Sequence, residues 1–221
     1  MENSIIVHSG ERFERVYLNT LPTDIDLIQE TDSTVKIHVI QLPLDGAVVP
    51  TEGRKCSLTI NQCGPCRTEV YGLICLQGDE QMTLETHVQH ILGGGVSDQL
   101  IKFVLSDRAQ GHFIGDLKIW PDAQQVEAHQ TNRNLLLSDD AIMRTQPQLE
   151  INADDVKATH GASTGQLDET ALFYMQQRGI DPEHARSMLV SAFMKDVIEK
   201  IGEPYAALKE QLLNTIDGEI E

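Results

Sequence analysis

Residues 100–141 read LIKFVL SDRA QGHFIGDLKI WPDA QQVEAHQTNRNLLL SDDA, and the fold turns on this stretch. Apolar-rich runs at Leu100–Leu105, His112–Ile119, Gln125–Thr131 and Leu135–Ser138 alternate with turns that each carry an Asp. Those turns are Ser106-Asp107-Arg108-Ala109, Pro121-Asp122-Ala123 and Ser138-Asp139-Asp140-Ala141; a fourth follows at Ala153-Asp154-Asp155-Val156. Their first Asp residues are 15, 17 and 15 positions apart. Coils stacked in a β-solenoid produce such intervals, each holding one or two short strands. A sandwich of regular hairpins spaces its strands in the same way. The interval therefore establishes an all-β region and leaves both architectures open.

Working outward, further strands are written at Ser4–His8, Arg15–Leu18, Val35–Leu42, Cys56–Asn61, Val70–Gln77, Met82–Ile91, Leu149–Asn152 and Val156–His160. Val35-Lys36-Ile37-His38-Val39 shows the period of two that puts one face of a strand in a core. Only around Thr23–Glu30 does the pattern fail to choose between strand and helix. We assign 1–165 to a β core and 166–221 to a small C-terminal helical domain, because the period changes at Gln166. Asp168 is placed to cap a helix through Ala171–Met175, and Gly179 with Ile180 fits a Schellman ending. Asp181 then caps a second helix with Pro182 at its first position. Ala185, Met188, Leu189, Ala192, Phe193, Val197 and Ile201 form its apolar stripe. Pro204 opens a last helix through Leu213.

Charge narrows the classes of partner. The 221 residues hold 17 Lys and Arg against 34 Asp and Glu, a formal charge of -17. Such a chain repels nucleic-acid backbones and anionic membranes, and leaves basic proteins and metal cations as suitable company. No run approaches the roughly 20 apolar residues of a membrane span. The start, MENSIIVHSGE, has no basic region ahead of its apolar residues and does not read as a signal peptide. The expectation is a soluble cytoplasmic protein, its four cysteines reduced.

Several motifs carry chemistry in other contexts. Cys63-Gly64-Pro65-Cys66 has the spacing of a dithiol redox pair, yet Arg67–Ile74 alternates like a strand, so no helix N-terminus is present to hold a thiolate. A tight turn is the better reading. Cys56, Cys63, Cys66 and Cys75 form a conceivable zinc set, but only one pair has knuckle spacing. A thiol-redox or zinc protein built on Cys63 and Cys66 stays as an alternative. His87 and His90 sit three apart in a strand, on opposite faces. Gly93-Gly94-Gly95 lacks the Lys-Ser or Lys-Thr of a phosphate loop. No serine triad or carboxylate pair stands out, so no catalytic residue is assigned and the chain is read as non-catalytic.

His160 differs from these. In Val156-Lys157-Ala158-Thr159-His160-Gly161-Ala162 the alternation sets Ala158, His160 and Ala162 on one face. Small neighbours leave room beside the imidazole for a metal or an opposing chain. The plainer reading is a hydrogen-bonded histidine at a strand end.

Around His160 the sequence resembles the SufB/SufD family. The residues that carry the likeness are Gln130-Thr131-Asn132-Arg133-Asn134-Leu135-Leu136-Leu137-Ser138, then Pro147-Gln148-Leu149-Glu150-Ile151, then Ala153-Asp154-Asp155-Val156-Lys157. It continues through His160–Gly165 and Phe173–Ile180, more loosely upstream at Ser97–Leu100 and Phe113–Leu117, and is good over roughly residues 95–200. Several motifs in fixed order are far more specific than one. The resemblance implies a right-handed parallel β-helix followed by a C-terminal helical domain. It implies a role in iron–sulfur cluster assembly, in which B-type and D-type subunits pair through their β-helices. Each would dock a SufC-type ATPase through C-terminal helices, here 168–201.

In the family the B-type subunit supplies a scaffold cysteine and the D-type a histidine at the paired interface. The position of that histidine corresponds to His160. Gly161 stands where B-type members carry Glu, and Asn132 lies near the place of the scaffold cysteine. Both point to the D-type. Ala158 replaces a cysteine that some D-type members carry, and no counterpart of the long N-terminal helical region is read here. The expectation is a scaffold subunit paired with a SufB-type chain or with itself. His160 would be a transient cluster or iron ligand at the interface, with nothing stably bound to the isolated chain. A β-helix homodimer that docks the ATPase and handles no metal is the alternative.

Overall fold

The computed structural model describes residues 4–43 and 53–218. Twelve strands come first in this part of the chain: β1 (Ile5–Val7), β2 (Arg12–Leu18), β3 (Asp24–Gln29), β4 (Thr34–Gln41), β5 (Arg54–Cys63) and β6 (Arg67–Leu76). There follow β7 (Gln81–Leu92), β8 (Val96–Leu105), β9 (Gln110–Ile119), β10 (Val126–Leu136), β11 (Ile142–Ile151) and β12 (Val156–Gly165). Odd strands form one six-stranded sheet in the order β1-β3-β5-β7-β9-β11, and even strands form the other, β12-β10-β8-β6-β4-β2. Every pairing is parallel. Hairpins would pair consecutive strands antiparallel, so the sandwich is excluded and the fold is a β-helix whose coils each add one strand to each sheet.

The Asp interval marks half a coil. Gln110 pairs with Ile142, so the turns at Asp107 and Asp139 stack along one edge of the solenoid. Asp107 takes a left-handed φ of 52°, a conformation Asp tolerates better than most residues. Its carboxylate accepts from Gly78 N–H at 2.9 Å, tying its turn to the coil before.

Inward side chains of both sheets, among them Val35, Ile37, Leu58, Val70, Leu84, Phe103 and Phe113, make one continuous core. The two sheets differ on their outer faces. From Met82 to His90, strand β7 alternates between buried and half-buried positions, whereas β6 and β8 end in five consecutive buried residues. Those runs are covered on both sides. Ile40, Leu73, Cys75, Val104 and Leu135 pack outward against Met194, Val197, Ile198, Ile201, Leu212 and Ile216 of the helices.

The helices are α1 (Glu169–Gln177), α2 (Pro182–Ile198) and, after a single 3-10 turn, α3 (Ala206–Gly218). Asp168 and Asp181 cap α1 and α2 through their side chains as expected. Gly179 N–H donates to Gln176 O and Ile180 N–H to Met175 O, the two bonds of a Schellman ending. Polar ties hold the helices to the sheet at both ends. Lys102 of β8, almost fully buried, donates to Phe193 O at 2.8 Å and Asp196 Oδ2 at 2.7 Å. At the far end Glu14 of β2 accepts from Gly202 N–H at 2.8 Å and lies 3.0 Å from His38 Nε2.

The structure corrects several boundaries. Thr23–Glu30 holds a strand, β3, with Ile25, Leu27 and Gln29 turned inward. The two strands expected at Gln125–Thr131 and Leu135–Ser138 merge into one, β10, which runs Val126–Leu136. Its polar middle reads as a break, but Asn132 and Asn134 satisfy each other inside the solenoid, at 3.0 and 2.7 Å. β11 starts seven residues before Leu149 and runs through Pro147. A proline fits there because β11 is the last strand of its sheet. β12 continues to Gly165, so His160 stands in mid-strand and not at a strand end. The packed face of α2 is Ala185, Ser191, Met194, Val197 and Ile198; Met188, expected in the stripe, is exposed. The last helix runs on to Gly218.

Candidate functional site

The last coil, β11 and β12, is where the solenoid ends. β12 pairs with β10 and β11 with β9, and within their sheets no described strand lies beyond them. Each therefore offers ten residues of edge backbone. Such an edge is a template for pairing with another chain. Lys157, Thr159 and Gly161 continue the outer ladder above Glu127, His129 and Thr131. Thr159 Oγ1 lies 2.8 Å from His129 Nδ1.

Ala158, His160 and Ala162 stand in register with Ala128, Gln130 and Asn132. Those three are buried inside the solenoid. His160 thus belongs to the inward face, yet it is exposed because no coil covers it. Small residues flank it as expected. Among the described residues, no group of three or more His, Cys, Asp or Glu side chains gathers in a way that could hold a metal. The imidazole could supply one bond to iron, and the remaining ligands would have to come from outside this arrangement.

The other motifs fall into structural places. Cys63 ends β5 and Arg67 begins β6, so the Cys63–Cys66 stretch is the turn between sheets. Burial pushes the thiols of Cys56 and Cys66 up to about 11, away from the thiolate a redox nucleophile needs. None of the four cysteines is in a disulfide. His87 faces outward between Glu85 and Asp116 at 3.5 and 3.6 Å. His90 faces inward, 2.9 Å from Ser97 Oγ, and burial lowers its pKa to about 4. The three glycines make a close crossing: a Cβ on Gly93 would stand 2.3 Å from Gln124 O of the next turn.

A family profile described as the SufBD core domain of SUF system FeS cluster assembly matches residues 24–193. The chain belongs to the SufB/SufD family. It is 33% identical over 198 residues to the iron-sulfur cluster assembly protein SufD of Escherichia coli, covering 86% of this chain and 43% of that protein. It is 41% identical over 141 residues to the chloroplastic protein ABCI7 of Arabidopsis thaliana, covering 62% of this chain and 29% of that one. With the SufBD family protein slr0076 of Synechocystis the identity is 36% over 150 residues, 66% of this chain and 32% of that protein. The chain spans less than half the length of these curated relatives.

Within this SufB/SufD fold, Asn132 is a buried amide bonded to Ile101 O at 3.2 Å and to Asn134. On the helices, Phe173 and Tyr174 of α1 and Met188 of α2 are exposed. Among the described residues, no helix is long and apolar enough to cross a membrane. Sequence reasoning missed the amides of Gln99 and Gln130, which lie in register beneath His160 on the inward face. The period-two pattern of β8 and β10 did carry that signal, because it places both amides inside the core.

Proposed function

We propose that this chain is a D-type scaffold subunit of iron–sulfur cluster assembly. It pairs through the open coil of its β-helix with a B-type subunit, or with a second copy of itself, and presents His160 at the joint. The observation that carries this reading is the exposed imidazole on the inward face of a terminal strand with a free edge. A partner coil seated on that edge would bring its own inward residues against His160 and complete a ligand set. The cluster or its iron is cargo here, held briefly through a neutral imidazole nitrogen. A SufC-type ATPase would dock on α1 and α2, where Phe173, Tyr174 and Met188 offer apolar contact, and the chain itself does no catalysis. A cytoplasmic setting with reduced thiols suits all of this.

The test is anaerobic cluster assembly on the complex reconstituted with a SufC-type ATPase and a B-type subunit. His160→Ala should lower cluster yield while leaving the complex intact. Normal yield in an intact complex would sink the ligand role. A second reading, a homodimeric module that docks the ATPase without handling metal, is favoured by Ala158, which places no thiol beside His160. It predicts ATPase binding with no iron retained by any assembly of the chain.

A further inference from the structure

The interior of the solenoid is largely apolar but holds several polar positions, and one polar column ends at His160. Gln99 on β8, Gln130 on β10 and His160 on β12 occupy successive register positions on the inward face. Gln99 and Gln130 are only 3% and 2% exposed. Neither the nitrogen nor the oxygen of either amide meets a hydrogen-bond partner among the described residues. Thr86 of the facing sheet, fully buried, has an unpartnered hydroxyl as well. A buried amide left unpaired costs about 1–3 kcal/mol, so a fold that keeps two of them side by side needs a reason. The space is built for them too. Gly115 of β9 lies against the Gln130 amide, and a Cβ there would stand 2.5 Å from Nε2 and 2.6 Å from Oε1.

From this column we infer that Gln130, backed by Gln99, is a positioning residue for His160. The inference rests on the reading of His160 as a ligand. Neighbouring strands of a sheet are about 4.8 Å apart, so a glutamine directly beneath a histidine can reach its ring. Neither bond is formed in the structure; after rotation of the two amides, Gln130 Oε1 would accept the N–H of one ring nitrogen, and Gln130 Nε2 would donate to Gln99 Oε1 below it. That polarity sets the tautomer: the ring nitrogen facing the open end keeps its lone pair, the form that can bind a metal. The opposite polarity, with the amide donating to the ring, would turn an N–H outward and block ligation. A second group that fixes the tautomer is the usual companion of a metal-binding histidine.

The experiment is ring 15N NMR of His160 in the full chain, in whatever assembly it forms, at a pH where imidazoles are neutral. Wild type should show one dominant tautomer. Gln130→Met, similar in volume and without polar atoms, should fold, since it removes orphaned groups from the core. It should shift the tautomer ratio by about fivefold, the equivalent of one ordinary hydrogen bond. Gln130→Glu restores the acceptor and should return the ratio to the wild-type side. An unchanged ratio in folded Gln130→Met overturns the inference. If Gln130→Met does not fold, a ratio in Gln130→Glu reversed from wild type overturns it instead. The readout needs no iron, so it separates from the ligand role: His160→Ala with normal cluster yield would end that role and leave the tautomer result standing.

Discussion

A residue in this solenoid is governed by which face of its strand it occupies. His87 and His90 share β7, yet one sits among surface carboxylates and the other in the core. Burial holds the His90 pKa at about 4, below its ordinary 6.5. The folded protein therefore resists a proton that the unfolded chain accepts, and the stabilising effect of a neutral His90 is whole above pH 6.5. It is lost as pH falls from 6.5 towards 4, by up to about 3 kcal/mol. Urea midpoints measured from pH 7.5 to 4.5 should show this slope in wild type and a shallower one in His90→Gln. Equal slopes would mean that the ring is not desolvated as described. The facing rule was legible from alternation alone, and the odd spacing of the two histidines follows it. The length of β12 was not legible, because Gly161, Ala162, Ser163 and Gly165 carry no strand preference of their own, leaving Thr164 isolated among them, and the stretch is held by pairing with Thr131–Leu135.

Elements are placed here by what covers them. α2 lies on β6 and β8 because their apolar ends need a second layer, and Lys102 fastens it there through Asp196 and the Phe193 carbonyl. Removing one partner of a buried charge costs more than replacing the charge. Asp196→Ala should therefore destabilise by about 2 kcal/mol, discounted from the fully buried case because Asp196 is itself about half exposed. Lys102→Met, which fills the same space without a charge, should cost less than about 1 kcal/mol. Denaturant melts of the two variants decide this, and the reverse order would remove the latch from the account. Helix starts could be read from Asp168, Asp181 and Pro182 because capping is local chemistry. The packed face of α2 could be read only in part: Ala185 and Val197 are buried as expected, but Met188 and Met194 are equally apolar, and only the position of the sheet chooses between them.

The whole molecule is acidic, and no described strand covers its last coil. A formal charge of -17 makes the compact state repel itself. Its melting temperature should rise as salt goes from about 10 mM to about 200 mM, where the Debye length has fallen below 10 Å; a flat response would show that this repulsion does not limit stability. The free edges of β11 and β12 predict that the isolated chain dimerises. Ala162→Lys, an inward charge in the terminal coil, should leave light scattering with a monomeric mass. If wild type is itself monomeric at the highest concentrations reached, pairing of the chain with itself is wrong.

From the sequence by itself came an all-β region with Asp turns at a half-coil interval, a capped helical tail, and motifs specific enough to identify the SufB/SufD family. These are local or ordered along the chain, so spacing and capping chemistry express them. Alternation alone left the pairing open, since it serves a hairpin sandwich equally; the family resemblance implied a parallel β-helix, and the tertiary structure shows the strands pairing two apart and parallel. It also decided that His160 stands over Gln130 and Gln99 at an uncovered end. That column joins residues about thirty positions apart, and contact between them exists only once the coils have stacked.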